Sequence, residues 1–180
     1  GCGAFILKLD LSGNVVWFKI TSGYIRSISA NAIGDVYTSG TFYGTIIIAN
    51  DTLIAAAGGG YSDFFFAKYD SAGNAIWAKR EGGARAENCE YLIADQSGNV
   101  YLSAIFESIS ITIGGNTFSN PASSIGNTND ILYIKYDSSG TFQWVKCIGG
   151  DKSDYSNGIV LDENRNMLYA LGTFESSNIT

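Results

Sequence analysis

Runs of four to eight β-branched, aromatic and aliphatic residues alternate along the chain with short bends rich in Asp, Ser, Gly and Asn. Two such runs on either side of a short polar bend predict a β-hairpin. In Phe64-Phe65-Phe66-Ala67 and Ile131-Leu132-Tyr133-Ile134 every position is apolar, which predicts strands in a sheet covered on both faces. No apolar run approaches the roughly 18 residues of a membrane-spanning helix. The longest, such as residues 53–57, are strand-sized.

The pattern repeats. Residues 4–19, 64–79 and 131–146 each hold an apolar run, a Lys (Lys8, Lys68, Lys135), an Asp (Asp10, Asp70, Asp137), a Gly (Gly13, Gly73, Gly140), a Trp (Trp17, Trp77, Trp144) and a closing Lys (Lys19, Lys79, Lys146). A second hairpin recurs between them, at Ile28 to Phe42, Leu92 to Phe106 and Ile159 to Phe174. Three copies at a period of roughly 65 residues indicate a repeat architecture. The bend chemistry accounts for the recurrence: Asp bonds backbone N–H groups round the turn, and Gly or Asn accepts the left-handed conformation there.

Two hairpins per period make a four-stranded unit, with strands over about 90–94, 99–106, 130–136 and 141–147 in the best-defined copy. Four-stranded antiparallel units stacked face to face describe a β-propeller, which closes with typically four to eight blades. The expectation is therefore an all-β chain: a half blade over 1–20, full blades over 26–80 and 90–147, and a half blade over 157–180. Both ends fall inside a repeat, so the segment is expected to belong to a longer chain.

Composition sharpens the class. The 180 residues are 46% hydrophobic and 13% aromatic, with a single proline, which supplies a core and favours sheet over helix. The net charge of −6 offers no basic surface for nucleic acid or anionic membrane. The chain has no histidine, which excludes Ser/His/Asp and Cys/His triads and His-ligated metal sites. Three cysteines, Cys2, Cys89 and Cys147, are an odd number and predict separate thiols instead of a disulfide framework. No cofactor is expected.

On residues 63–79, 95–106, 130–146 and 157–174 the chain resembles the bacterial β-propeller repeats called SBBP repeats. The first copy departs from the pattern at Asn31, where the others have Asp95 and Asp162. The resemblance implies a propeller within a large secreted or surface-attached bacterial protein, often one exported by type IX secretion. A fold does not fix a function.

The recurring Asp residues read as turn formers, since catalysis needs an asymmetric carboxylate pair and an EF-hand-type calcium loop needs more acidic oxygens and a distal Glu. The three Trp read as packing between units, with Trp77→Ala costing about 3 to 5 kcal/mol. Gly82-Gly83 and Gly149-Gly150 are not phosphate loops, because no helix start or Lys-Ser/Thr follows them. Arg26, Arg80, Arg85 and Arg165 are too dispersed for a sialidase-like cluster.

Variable loops on a rigid scaffold are the usual carriers of binding. These are the insertions 43–62 and 107–129 and the neighbouring loops 21–26, 81–90 and 151–155. They predict a binding face containing Tyr24, Arg26, Glu81, Arg85, Glu87, Glu90, Asp151, Asp154 and Tyr155. Thr52 and Ser71 match a short O-glycosylation pattern, and Asn50 and Asn178 match N-glycosylation acceptors. The expected function is a non-enzymatic extracellular or cell-surface scaffold for adhesion or protein interaction. The alternatives are a glycan-binding, lectin-like propeller and an accessory domain of a secreted hydrolase. Expected partners are other surface or secreted proteins, or glycans.

Overall fold

The repeated bends close as their side chains require. Asp10 Oδ1 accepts the N–H groups of Ser12 and Asn14 at 2.9 and 2.8 Å, Asp70 and Asp137 accept the corresponding pairs in their own turns, and Asp95 accepts the Asn99 N–H. Asn31 does the same work with its amide oxygen, which takes the Asp35 N–H at 2.9 Å. The glycine of each bend lies in the left-handed region, at φ 85° for Gly13, 79° for Gly73 and 77° for Gly140. Hydrogen bonds led by the Asn14, Asn74 and Ser139 side chains hold Asp10, Asp70 and Asp137 below the ordinary carboxylate value. Their oxygens are thus taken up by the turns, and no cluster of three or more acidic or thiol groups suited to a metal occurs among the described residues.

The computed structural model describes residues 3–56 and 60–179. Cys2, Thr180 and residues 57–59 of the first insertion lie outside the described residues. The strands run β1 (Ala4–Leu9), β2 (Val15–Thr21), β3 (Tyr24–Ala30), β4 (Val36–Phe42), β5 (Thr45–Ile48), β6 (Asp51–Ile54), β7 (Asp63–Tyr69) and β8 (Ala75–Glu81). They continue as β9 (Glu87–Ala94), β10 (Val100–Phe106), β11 (Ser110–Ile113), β12 (Asn116–Ser119), β13 (Asp130–Tyr136), β14 (Phe142–Ile148), β15 (Asp154–Asp162) and β16 (Met167–Phe174). Among the described residues the chain is all-β and antiparallel, with one helical turn, α1 (Ser123–Gly126).

Two four-stranded sheets, β3-β4-β7-β8 and β9-β10-β13-β14, are flanked by the two-stranded sheets β1-β2 and β15-β16. The insertions form ribbons of their own, β5-β6 and β11-β12. Their return strands, only four residues long, carry too little pattern to be seen in the sequence. The turn α1 is also unforeseen; Pro121, with its fixed φ, leads into it, and left-handed Asn127 (φ 53°) ends it.

The four-stranded sheets face each other across Tyr37, Phe64, Phe66, Leu92, Leu102 and Tyr136. Strand β9 lies against β3, β4 and β7, and β15 lies against β9, β10 and β13. Side chains also seal the seams. Ser27 and Ser29 Oγ accept the Leu92 and Ala94 N–H groups, both at 3.0 Å, and Ser103 Oγ bonds Ser156 Oγ at 2.5 Å. Trp17 Nε1 and Lys8 Nζ both donate to the Ser71 carbonyl, at 3.0 and 3.1 Å.

Each first strand carries a bulge at the same place: Arg26 between Ile25 and Ser27, Glu90 between Cys89 and Tyr91, and Asn157 between Ser156 and Gly158 are left without a ladder partner. Among the described residues the sheets do not close into a ring. At the two outer sheets, positions that are buried inside become open. Phe5 is 63% exposed where Phe65 and Leu132 are buried, and Phe174 is 63% exposed where Phe42 and Phe106 are buried.

Candidate functional site

The insertions and the loops that join successive units gather at one end of the sheets, and buried carboxylates fasten them together. Glu87 is fully buried; it accepts the Gly83 N–H at 2.8 Å, the Ser108 N–H at 3.2 Å and the Ser108 hydroxyl. Asp154, its counterpart one repeat later, is fully buried and accepts the Ser176 hydroxyl at 2.8 Å and the Glu175 N–H at 3.2 Å. Both residues, expected on an open binding face, are instead internal ties. A charged residue in a loop looks solvated in the sequence, but here backbone donors surround it.

The glycine pairs follow from the same packing. A side chain on Gly82 or Gly149 would run into the Asp63 or Asp130 carboxylate, and one on Gly83 or Gly150 into Ser108 or Ser176. These pairs therefore exist to let the loop backbone lie on buried acids. Asp63 is fully buried and paired with Arg80 at 2.7 Å. Arg80 was one of the dispersed arginines in the sequence. The signal for its role is that Asp63 and Asp130 hold one repeat position, whereas Arg80 and Cys147 differ at another.

The other expected face residues divide. Tyr136 donates its hydroxyl to Glu81 at 2.5 Å, and burial raises the Glu81 carboxyl above its ordinary value against that bond. Arg85 reaches across to the second insertion, donating to Ser123 O at 2.7 Å, to Ser123 Oγ and to Asn127 Oδ1. Asp151 accepts the Ser177 N–H at 2.8 Å and the Ser177 hydroxyl at 2.7 Å, which hold its carboxyl low. Arg26 and Glu90, the two bulge residues, meet at 3.2 Å across the seam between sheets. Tyr24 and Tyr155 are exposed, and Tyr24 stands edge to face with exposed Tyr43 at 6.3 Å. These nine residues thus do not converge on one cavity.

Thr52 and Ser71 are exposed. Trp17, Trp77 and Trp144 are half-buried; Trp17 and Trp77 lie over Gly73 and Gly140 in the turns of the following unit. Cys89 is buried and Cys147 half-buried, both free thiols that burial pushes up to about 12.

Burial raises Glu87 from 4.5 to about 7, so the fold favours its protonated form. Stability from this group is complete below its ordinary value of 4.5 and is lost as pH rises through about 7. Glu87 alone is expected to account for a loss of about 3 kcal/mol over that window in urea melts of the wild-type protein. Glu87→Gln should remove that share of the slope, leaving the same-signed contributions of Asp130, which burial raises to about 6, and of Glu81 and Asp63, which burial also raises. An unchanged slope in the variant would assign it to other groups.

No protein-family model matches the chain. It is similar to an uncharacterized WD repeat-containing protein, L264, of Acanthamoeba polyphaga mimivirus, at 24% identity over 208 aligned residues that cover 97% of this chain. The chain spans 14% of that protein's length. WD repeats form four-stranded propeller blades, so the likeness agrees with a propeller-like fold and does not reach the bacterial SBBP type. This chain is therefore similar to a WD repeat-containing protein, in a β-rich, repeat-built architecture.

Proposed function

We propose that the chain is a stretch of a longer β-propeller acting as a non-enzymatic scaffold, with the end formed by the insertions as its surface for other proteins. The observation that carries this reading is the exposure of repeat positions at the outer sheets. Phe5, Tyr169 and Phe174 are 63%, 56% and 63% exposed, while the residues at the same places in inner units are buried. A face this apolar is stable only when covered, and a further unit of the same repeat is the surface shaped to cover it. The irregular sequence then lies on one end of the ring, where rigid strands hold variable loops.

The acidic, histidine-free surface rich in Ser, Thr and Asn suits an extracellular or surface-attached chain of the SBBP kind. The exposed Tyr24 and Tyr43 pair favours one second reading, a glycan-binding propeller, because an aromatic face stacks on sugar rings.

The test is Phe174→Ala in the full-length natural protein. Covered by a neighbouring unit, the substitution should cost about 3 to 5 kcal/mol in thermal or urea unfolding. A loss within about 0.5 kcal/mol, as for a surface change, overturns the propeller reading. A glycan array with the same protein tests the second reading, which fails if no sugar is retained.

A further inference from the structure

The third strands of the two four-stranded sheets both begin with a buried aspartate, and the two acids are housed differently. Asp63 Oδ2 accepts Arg80 Nη1 at 2.7 Å and the Ala56 N–H at 2.9 Å. The ribbon registers Thr45↔Ile54 and Ser110↔Ser119 put Pro121 in the place of Ala56. The strand registers Phe65↔Arg80 and Leu132↔Cys147 put Cys147 in the place of Arg80. Proline has no N–H and a thiol carries no positive charge. Strand β13 thus keeps the acid and lacks both donors that hold Asp63.

Asp130 is 4% exposed, its Oδ1, like that of Asp63, has no hydrogen-bond partner, and it has the Gly150 N–H where Asp63 has an arginine. Where the arginine would lie there is instead a cavity of about 410 Å³, lined by Phe118, Ser119, Pro121, Asp130, Cys147 and the Gly149-Gly150 backbone. A buried carboxylate held by one backbone N–H and no positive partner is costly and draws a cation. We propose that this cavity is a socket for a guanidinium group supplied from outside the unit, seated on Asp130 as Arg80 is seated on Asp63. The flat fork of a guanidinium suits the carboxylate, and Phe118, Pro121 and Cys147 offer an apolar wall for its alkyl stem. The socket opens beside the second insertion, so it rests on and deepens the scaffold reading by naming the chemistry that this end would recognise.

Calorimetric titration of the full chain at neutral pH with ethylguanidinium, and in parallel with the peptide Gly-Arg-Gly, tests the proposal. Wild type should bind one equivalent of each. Asp130→Asn should weaken binding about tenfold or more, the scale of one charge-assisted hydrogen bond. Cys147→Arg should abolish binding by supplying the guanidinium internally, and should raise the melting temperature. If that variant does not fold, Cys147→Leu fills the cavity without charge and should also block binding. Tighter binding of the peptide assigns the socket to an arginine of another polypeptide, and equal binding to a small free cation. Absence of binding by wild type, or undiminished binding by Asp130→Asn, overturns it. That failure removes the socket alone, since the scaffold reading is decided by Phe174→Ala.

Discussion

Replacing Arg80 with methionine is expected to destabilise the fold by about 2 to 3 kcal/mol, because the Arg80 side chain is 37% exposed but the Asp63 carboxylate it leaves behind is fully buried. Asp63 is fully buried, and burial already raises its carboxyl above the ordinary value against the pull of the Ala56 N–H and Arg80. Without the guanidinium only the Ala56 N–H remains, and the ionised acid has little to hold it. The loss should therefore depend on pH in a defined direction. A further-raised Asp63 keeps its full contribution below its ordinary value of 3.8 and loses it as pH rises, so the variant should be closest to wild type in acid. Adding Asp63→Asn should recover most of the loss at neutral pH, because the stranded charge is then gone. A double-mutant cycle by urea denaturation reads both effects. A single-variant loss under about 1 kcal/mol would mean that water reaches Asp63.

The second large effect is expected at Phe66→Ala, with a loss of about 3 to 5 kcal/mol. Phe66 is fully buried between the two four-stranded sheets, edge-on to Trp77 at 5.8 Å and tilted against Tyr136 at 4.5 Å. Truncation opens a cavity that β strands fixed by ladders on both sides cannot close. Trp77, which the repeat pattern alone singles out for this effect, is half-buried and leaves part of its indole in water. Trp77→Ala is therefore expected to cost less than Phe66→Ala when both are measured in the same denaturation series. The reverse order would place the seam's main contact at the outer strand.

The bends were readable in the sequence because Asp10, Asp70 and Asp137 each do a local job, fixed by residues two to four positions away. Strand β13 was readable because a sheet covered on both faces leaves a continuous apolar run. Glu87 and Asp154 were not, since their partners Ser108 and Ser176 lie about 20 residues away and only the fold brings them together. The bulges at Arg26, Glu90 and Asn157 were invisible for a different reason. One extra residue in a strand demands no particular side chain, so Arg, Glu and Asn give no common signal. The socket at Asp130 was written in the aligned copies at residues 56 and 121, and at 80 and 147. It carries meaning only once Asp63 is known to be buried.

Those three bulges also bear on how such a protein can change. At each of them the side chain is released from the ladder, and its neighbours on either side keep the pairing intact. Substitution there is freed from the demands of the sheet, which explains how a cation, an anion and an amide occupy one repeat position in succession. Where two of them meet, Arg26 and Glu90 turn that freedom into a specific contact between adjacent units. An array made of these units can thus evolve its order of neighbours one residue at a time, by rewriting charges at a position the fold does not police.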